Sequence, residues 1–169
     1  MSLDNIHLSP FLVQHLYKHS IVELDTIKQN PKLDTPPVSF LGRNEKRILI
    51  AVNEPDNAFL PDLDLNLLTG ILTACNLSLA DVALVNLGKN KNLEFNSLME
   101  EFSPVLVILF GVEPIQLSFP LHFPNYQLQQ YNHQTYLSVP SLNILANDNA
   151  QKKIFWLCLQ QHFFKPDLK

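Results

Sequence analysis

The chain has 169 residues, of which 46% are hydrophobic and 17% charged, with a formal net charge of −4. That balance suits one domain with a substantial core plus a short appendage, and excludes a disordered or highly charged chain. It also disfavours strong unaided DNA binding, which usually shows as a basic face.

Leu8–His19 places Leu8, Phe11, Leu12, His15, Leu16 and His19 at helical spacing, which predicts a short amphipathic helix with Ser9 as its cap. Lys28–Pro37 contains Pro31, Pro36 and Pro37 with few large apolar residues, and reads as a linker. Residues 1–37 are therefore expected to form an amino-terminal helical arm and Pro-containing linker, and residues 38–169 a single α/β domain. Arg47–Val52 is an apolar strand that breaks into a polar turn, Asn53-Glu54-Pro55-Asp56-Asn57. Asp62 or Asp64 then caps a helix whose apolar positions are Leu67, Leu68, Ile71, Leu72 and Cys75. Ser78-Leu79-Ala80-Asp81 has capping-box spacing and predicts one helical turn.

A second strand spans Val82–Leu87, and a helix from about Glu94 to Phe102 buries Phe95, Leu98, Met99 and Phe102. Val105–Phe110 is apolar at every position and stops at Gly111, as a central parallel strand covered on both faces does. Tyr126–Val139 alternates and turns at Asn132-His133, the pattern of a hairpin. Asn147 or Asp148 caps a last helix carrying Ile154, Phe155, Cys158 and Leu159, with Trp156 off the centre of that stripe. Alternating strands and helices predict a three-layer α/β/α sandwich with a mainly parallel four-stranded sheet.

Several chemistries fail to assemble. No serine occupies a Gly-x-Ser-x-Gly elbow, and glycines only at 42, 70, 88 and 111 exclude a P-loop or a Gly-x-Gly-x-x-Gly fingerprint. Cys75 and Cys158 lie in apolar helical patterns and read as buried reduced thiols. His15 and His19 have metal-compatible helical spacing but lack a third ligand, so neither metal nor cofactor is expected. The basic groups Arg43, Lys46, Arg47 and Lys89, Lys91 flank loops and read as solvated charge. No apolar run approaches the ~20 residues that cross a bilayer, and no signal-peptide order opens the chain, so no membrane association and a cytoplasmic location are expected. What remains is the set of strand ends, where open α/β sheets bind ligands: Asn53, Glu54 and Pro55; Asn86; Gly111; Val139, Pro140 and Ser141.

The order and spacing of these strand ends resemble the uracil-DNA glycosylase superfamily over roughly residues 46–160. Glu54-Pro55 is similar to that family's first motif, and Phe59 lies where its base-stacking phenylalanine falls. Asn86-Leu87-Gly88 resembles the motif with the base-reading asparagine, and Val139-Pro140-Ser141-Leu142 resembles the closing His-Pro-Ser motif. The resemblance implies the family's three-layer fold. The departures bear on activity: Val139 replaces a histidine and cannot donate a hydrogen bond to a departing base, and Val52 and Asn53 stand where glycine would let backbone approach the base. The cluster cysteines of some glycosylase families are also missing.

A non-catalytic family with the same outline, the psi subunits of bacterial DNA polymerase III, resembles the chain at Arg47–Asp56, Leu63–Leu87 and Pro140–Phe164. That resemblance implies an interaction subunit of DNA replication or repair, with a chi-like subunit or the clamp loader as protein partner and weak or no direct DNA binding. Phe11, Leu12, Leu16 and Tyr17 on the arm are then the docking residues. The alternative is a divergent uracil-DNA glycosylase-like enzyme using Glu54, Asn53 and Asn86 on damaged bases. A third reading is an α/β binding domain unrelated to DNA, which an acidic or closed strand-end surface would favour. For a lapsed pocket, Val52, Phe59 and Val139 are expected to fill the space of a flipped base.

Overall fold

A computed structural model describes residues 38–90, 93–113 and 123–164. The expected arm and linker, with Phe11, Leu12, Leu16, Tyr17, His15 and His19, lie outside the described residues, as does Lys91. The elements in chain order are β1 (Phe40–Gly42), β2 (Ile48–Val52), α1 (Asp62–Ala74), a 3-10 turn (Leu79–Asp81), β3 (Val82–Asn86) and α2 (Phe95–Phe102). They continue through β4 (Leu106–Phe110), β5 (Leu128–Tyr131), β6 (Gln134–Val139), α3 (Leu142–Asn147) and α4 (Asn149–Phe163).

The α/β class expected from the sequence holds, but the sheet has six strands in the order β1-β3-β2-β4-β6-β5 and is mixed. β3, β2, β4 and β6 run parallel in the interior, while β1 and β5 pair antiparallel at the two edges. This corrects the expected four-stranded sheet. β1 is three residues long and gives no periodicity to read, and β5 is a half-polar Leu-Gln-Gln-Tyr segment. Polar, short strands are what an edge tolerates.

β2, β3 and β4 are buried along their length, β6 from Tyr136 on, and the strands alternate between two cores. Ile48, Ile50 and Val52 of β2 meet Leu68 and Leu72 of α1, Leu142 and Leu145 of α3, and Phe155 and Leu159 of α4. Leu49 and Ala51 meet Leu98 and Phe102 of α2 in the other cluster, with Phe123 and Tyr136. The two faces of one strand therefore bury different helices, which is why the run reads as unbroken apolar sequence. Cys75 and Cys158 are free and buried, and burial pushes both thiols up.

Helix boundaries differ from the sequence reading in instructive ways. α1 begins after Pro61 with no side-chain cap, so neither Asp62 nor Asp64 is the cap; both sit in the first turn, where negative charge complements the helix dipole. At α4, Asp148 is the cap, accepting from the Ala150 and Gln151 amides at 2.8 and 3.1 Å. The short α3 immediately before it lacks a sequence signal of its own. Ile154, expected on the inner stripe of the last helix, is 45% exposed.

At the amino ends of the parallel strands the β1–β2 turn carries three residues with positive φ: Gly42 (113°), Asn44 (58°) and Arg47 (55°). The turn caps α2, because Asn44 Nδ2 donates to the Phe102 carbonyl at 2.9 Å and Arg47 Nε to the Ser103 carbonyl at 2.8 Å. Lys46 pairs with Asp81 at 3.7 Å and Arg43 with Glu45 at 3.6 Å. This basic group is engaged locally, at the opposite end of the sheet from the strand-end residues. A Cβ at Gly42 would lie 2.0 Å from the Val82 carbonyl oxygen and 2.6 Å from that of Leu79. Gly42→Ala is expected to destabilise the fold by about 3 kcal/mol or more, read as a lower urea midpoint at unchanged slope.

Candidate functional site

The parallel register brings the singled-out strand ends into one row. Asn86 of β3 pairs with Val52 of β2, Val52 with Phe110 of β4, and Phe110 with Val139 of β6. Val52, Phe110 and Val139 belong to the same buried cluster, and Phe59 packs partly buried against it. Asn86 is the polar member of the row and is 0% exposed.

A buried primary amide has two acceptor positions and two donor hydrogens to satisfy. In Asn86 all are taken up by backbone. Its Oδ1 accepts from the Glu54 amide at 2.9 Å and the Gly88 amide at 3.0 Å. Its Nδ2 donates to the carbonyls of Glu54, Asn57 and Ala58 at 2.7, 2.9 and 3.1 Å, one hydrogen being shared. The side chain thus holds the whole 54–58 turn against the end of β3. Gly88 completes the fit, since a Cβ there would come within 2.9 Å of the Glu54 carbonyl carbon and oxygen and 3.1 Å of the Pro55 nitrogen. The first two strand-end motifs are one physical unit, joined through backbone and not through the Glu54 carboxylate.

The third motif forms a second unit. Gly111, at φ 62°, donates its amide to the Val139 carbonyl at 2.8 Å. A Cβ on it would meet Ser141 at 3.0 Å, so glycine lets β4 exit close beneath the start of α3. Pro140 and Ser141 are half-buried there, and Ser141 precedes α3 without a side-chain cap bond. Asn53 and Pro55 are exposed at the mouth of the turn.

Acidic groups gather around the 54–58 turn, with Lys89 exposed just beyond Gly88. Glu54 is half-buried and Asp64, in the first turn of α1, is 8% exposed. Burial, then the charges of Asp64 and Asp56, hold the Glu54 carboxyl above its ordinary value; burial alone raises Asp64. Among the described residues no ion pair reaches these carboxylates, and no group of three His, Cys, Asp or Glu is placed to hold a metal. An apolar cavity of about 10 Å³, room for about one water, lies deeper, between β2, β4 and the helices α1 and α4.

The structure therefore brings Glu54 and Asn86 together, leaves Asn53 pointing to the rim of the same turn, and puts Val52 and Val139 in the core beside them. The staple formed by Asn86 was not legible as such. Its signal in the sequence is a single asparagine at the end of an apolar strand, followed two residues later by glycine. No protein-family model matches the chain, and no curated protein matches it.

Asn86→Ala would strand two amides and three carbonyls around the turn. It is expected to cost at least about 3 kcal/mol and to abolish hydrogen-exchange protection at the Glu54 and Gly88 amides. Glu54 carries the opposite sign. Its raised carboxyl means the folded chain holds that proton more tightly than the unfolded chain, so stability is lost as pH rises through the folded value. Glu54→Gln should stabilise the fold at neutral pH by under about 1 kcal/mol after solvent screening. The gain should vanish in urea melts below a pH of about 4, where the carboxyl is protonated in both states.

Proposed function

We propose that this chain is a non-catalytic interaction subunit of a DNA replication or repair assembly, similar to the psi subunits of the polymerase III clamp-loader complex. One observation carries the proposal: the Asn86 amide, the group that would read a base in a glycosylase, has every hydrogen-bonding position filled by the 54–58 turn. A base-reading amide must be free to exchange water for the base edge. Val139, in the position of the motif histidine, is 1% exposed within the core and offers no donor to a leaving group. The α/β sheet with helices on both faces agrees with a three-layer, glycosylase-like ancestry for such a subunit.

Electrostatics support a role through protein contacts. The strand-end turn bears Glu54 and Asp56, with Asp64 following in the first turn of α1, and such a cluster of carboxylates disfavours a phosphate backbone there. Arg43, Lys46 and Arg47 make local pairs and caps at the other end of the sheet. The same acidity favours one second reading, an α/β binding domain unrelated to DNA.

Co-purification separates the readings. The tagged full chain, purified from its native host, is expected to retain clamp-loader proteins or a chi-like subunit through washing at moderate salt. Their absence, with unrelated partners retained instead, would favour the second reading. The purified chain is expected to leave uracil- and hypoxanthine-containing oligonucleotides intact. Excision that disappears in Glu54→Gln would establish the enzyme in place of the adaptor.

A further inference from the structure

Two carboxylates stand near each other at the carboxyl ends of the strands, and no described residue balances them. Asp64, in the first turn of α1, is 8% exposed, yet its carboxylate makes no hydrogen bond and no ion pair among the described residues. The carboxylate of half-buried Glu54 is likewise without either, and the charge of Asp64 reaches it. Exposed Asp56 adds a third negative charge from the same turn. A carboxylate more than nine-tenths buried is costly unless a counter-charge or hydrogen-bond donors meet it. The amino end of α1 offers its dipole, but the helix opens at Pro61 with no side-chain cap bond. Lys89 is exposed and makes no ion pair among the described residues, and Arg43, Lys46 and Arg47 are engaged at the other end of the sheet.

Both carboxylates project from backbone that is held in place. The Glu54 amide and carbonyl are tied to the Asn86 side chain at 2.9 and 2.7 Å. Asp64 lies in a helical turn that the Leu65 amide closes on the Pro61 carbonyl at 2.9 Å. Two acids on fixed elements form an oxygen donor set, which hard cations prefer. Two negative charges call for two positive ones, which a divalent ion supplies and a single ammonium or sodium does not. Among the described residues no group of three His, Cys, Asp or Glu is placed to hold a metal, so water must fill the remaining positions. Zinc takes nitrogen and sulfur ligands, and calcium gathers six to eight oxygens. Magnesium keeps several waters and is content with one or two carboxylates.

We propose that Glu54 and Asp64 bind a hydrated magnesium ion between the 54–58 turn and the first turn of α1, with Asp56 strengthening the field around it. The ion ties the Asn86-stapled turn to the helix that follows. The site is independent of which partner the chain serves.

The test uses the full chain, stripped of metal with EDTA, and magnesium or manganese chloride alone. Manganese, a paramagnetic stand-in for magnesium at oxygen sites, is expected to broaden the amide NMR signals of residues 54–58 and 62–65 first, and excess magnesium should restore them. Magnesium at about 10 mM should raise the melting temperature by about 2–4 °C over sodium chloride of equal ionic strength. Asp64→Asn and Glu54→Gln should each weaken manganese binding at least about tenfold, while Glu100→Gln on α2 leaves it unchanged. Either variant suffices should the other fail to fold. Broadening centred elsewhere or spread over the exposed carboxylates would overturn the proposal. So would stabilisation by sodium equal to that by magnesium, the lack of any rise with magnesium, or manganese binding that persists in a folded Asp64→Asn or Glu54→Gln chain.

Discussion

A parallel sheet ends in loops that leave their backbone amides and carbonyls without ladder partners, and in this chain one buried side chain meets that demand for the first loop. The carboxamide of Asn86 reaches from β3 to the Glu54, Asn57 and Ala58 carbonyls while accepting from the Glu54 and Gly88 amides. Buried polar groups are tolerated only when fully satisfied, and a satisfied network rigidifies what it touches. The placement of Pro55, Phe59 and the start of α1 all follow from that one constraint. Gly88 is its necessary complement, because any side chain there would push the Glu54–Pro55 peptide off the end of the strand.

The same constraint decides which polar groups at the strand ends are already engaged. A ligand site at this position in an α/β fold needs polar groups that face a cavity and exchange water for substrate. Here the row across the sheet reads Asn86, Val52, Phe110, Val139, one amide engaged with backbone and three apolar side chains in the core. What reaches solvent at the rim is Asn53, Pro55, Asp56 and Ala58. Burial, and then the like charges of Asp64 and Asp56, hold the Glu54 carboxyl above its usual value.

The sequence made the interior of the fold legible because the physics there is repetitive. β2, β3 and β4 are apolar at nearly every position, and their ends at Val52, Asn86 and Phe110 were readable to within a residue or two. The Asn132-His133 turn was also readable, both residues adopting the positive φ that a two-residue hairpin needs. The β1 edge was not, since it makes its ladder through backbone that any residue supplies. α4 misled for a different reason: a helix with apolar residues on two sides has no single period to follow, so Ile154 reads as core beside Phe155. The strand-end residues could be picked out by position, but not their roles. A hydrogen-bonding asparagine reads the same in sequence whether its partner is a base or the chain's own backbone.

The capping of α2 has a kinetic side. At eight residues this helix is too short to persist alone in water. The groups that satisfy its last carbonyls come from Asn44 and Arg47, 58 and 56 positions earlier in the chain. The same β1–β2 turn also sets the start of β2 against β4, since the Val105 amide donates to the Arg47 carbonyl at 2.8 Å. Helix end and sheet register therefore depend on the same distant turn, and contacts that close such long loops slow folding relative to a fold held by local ones.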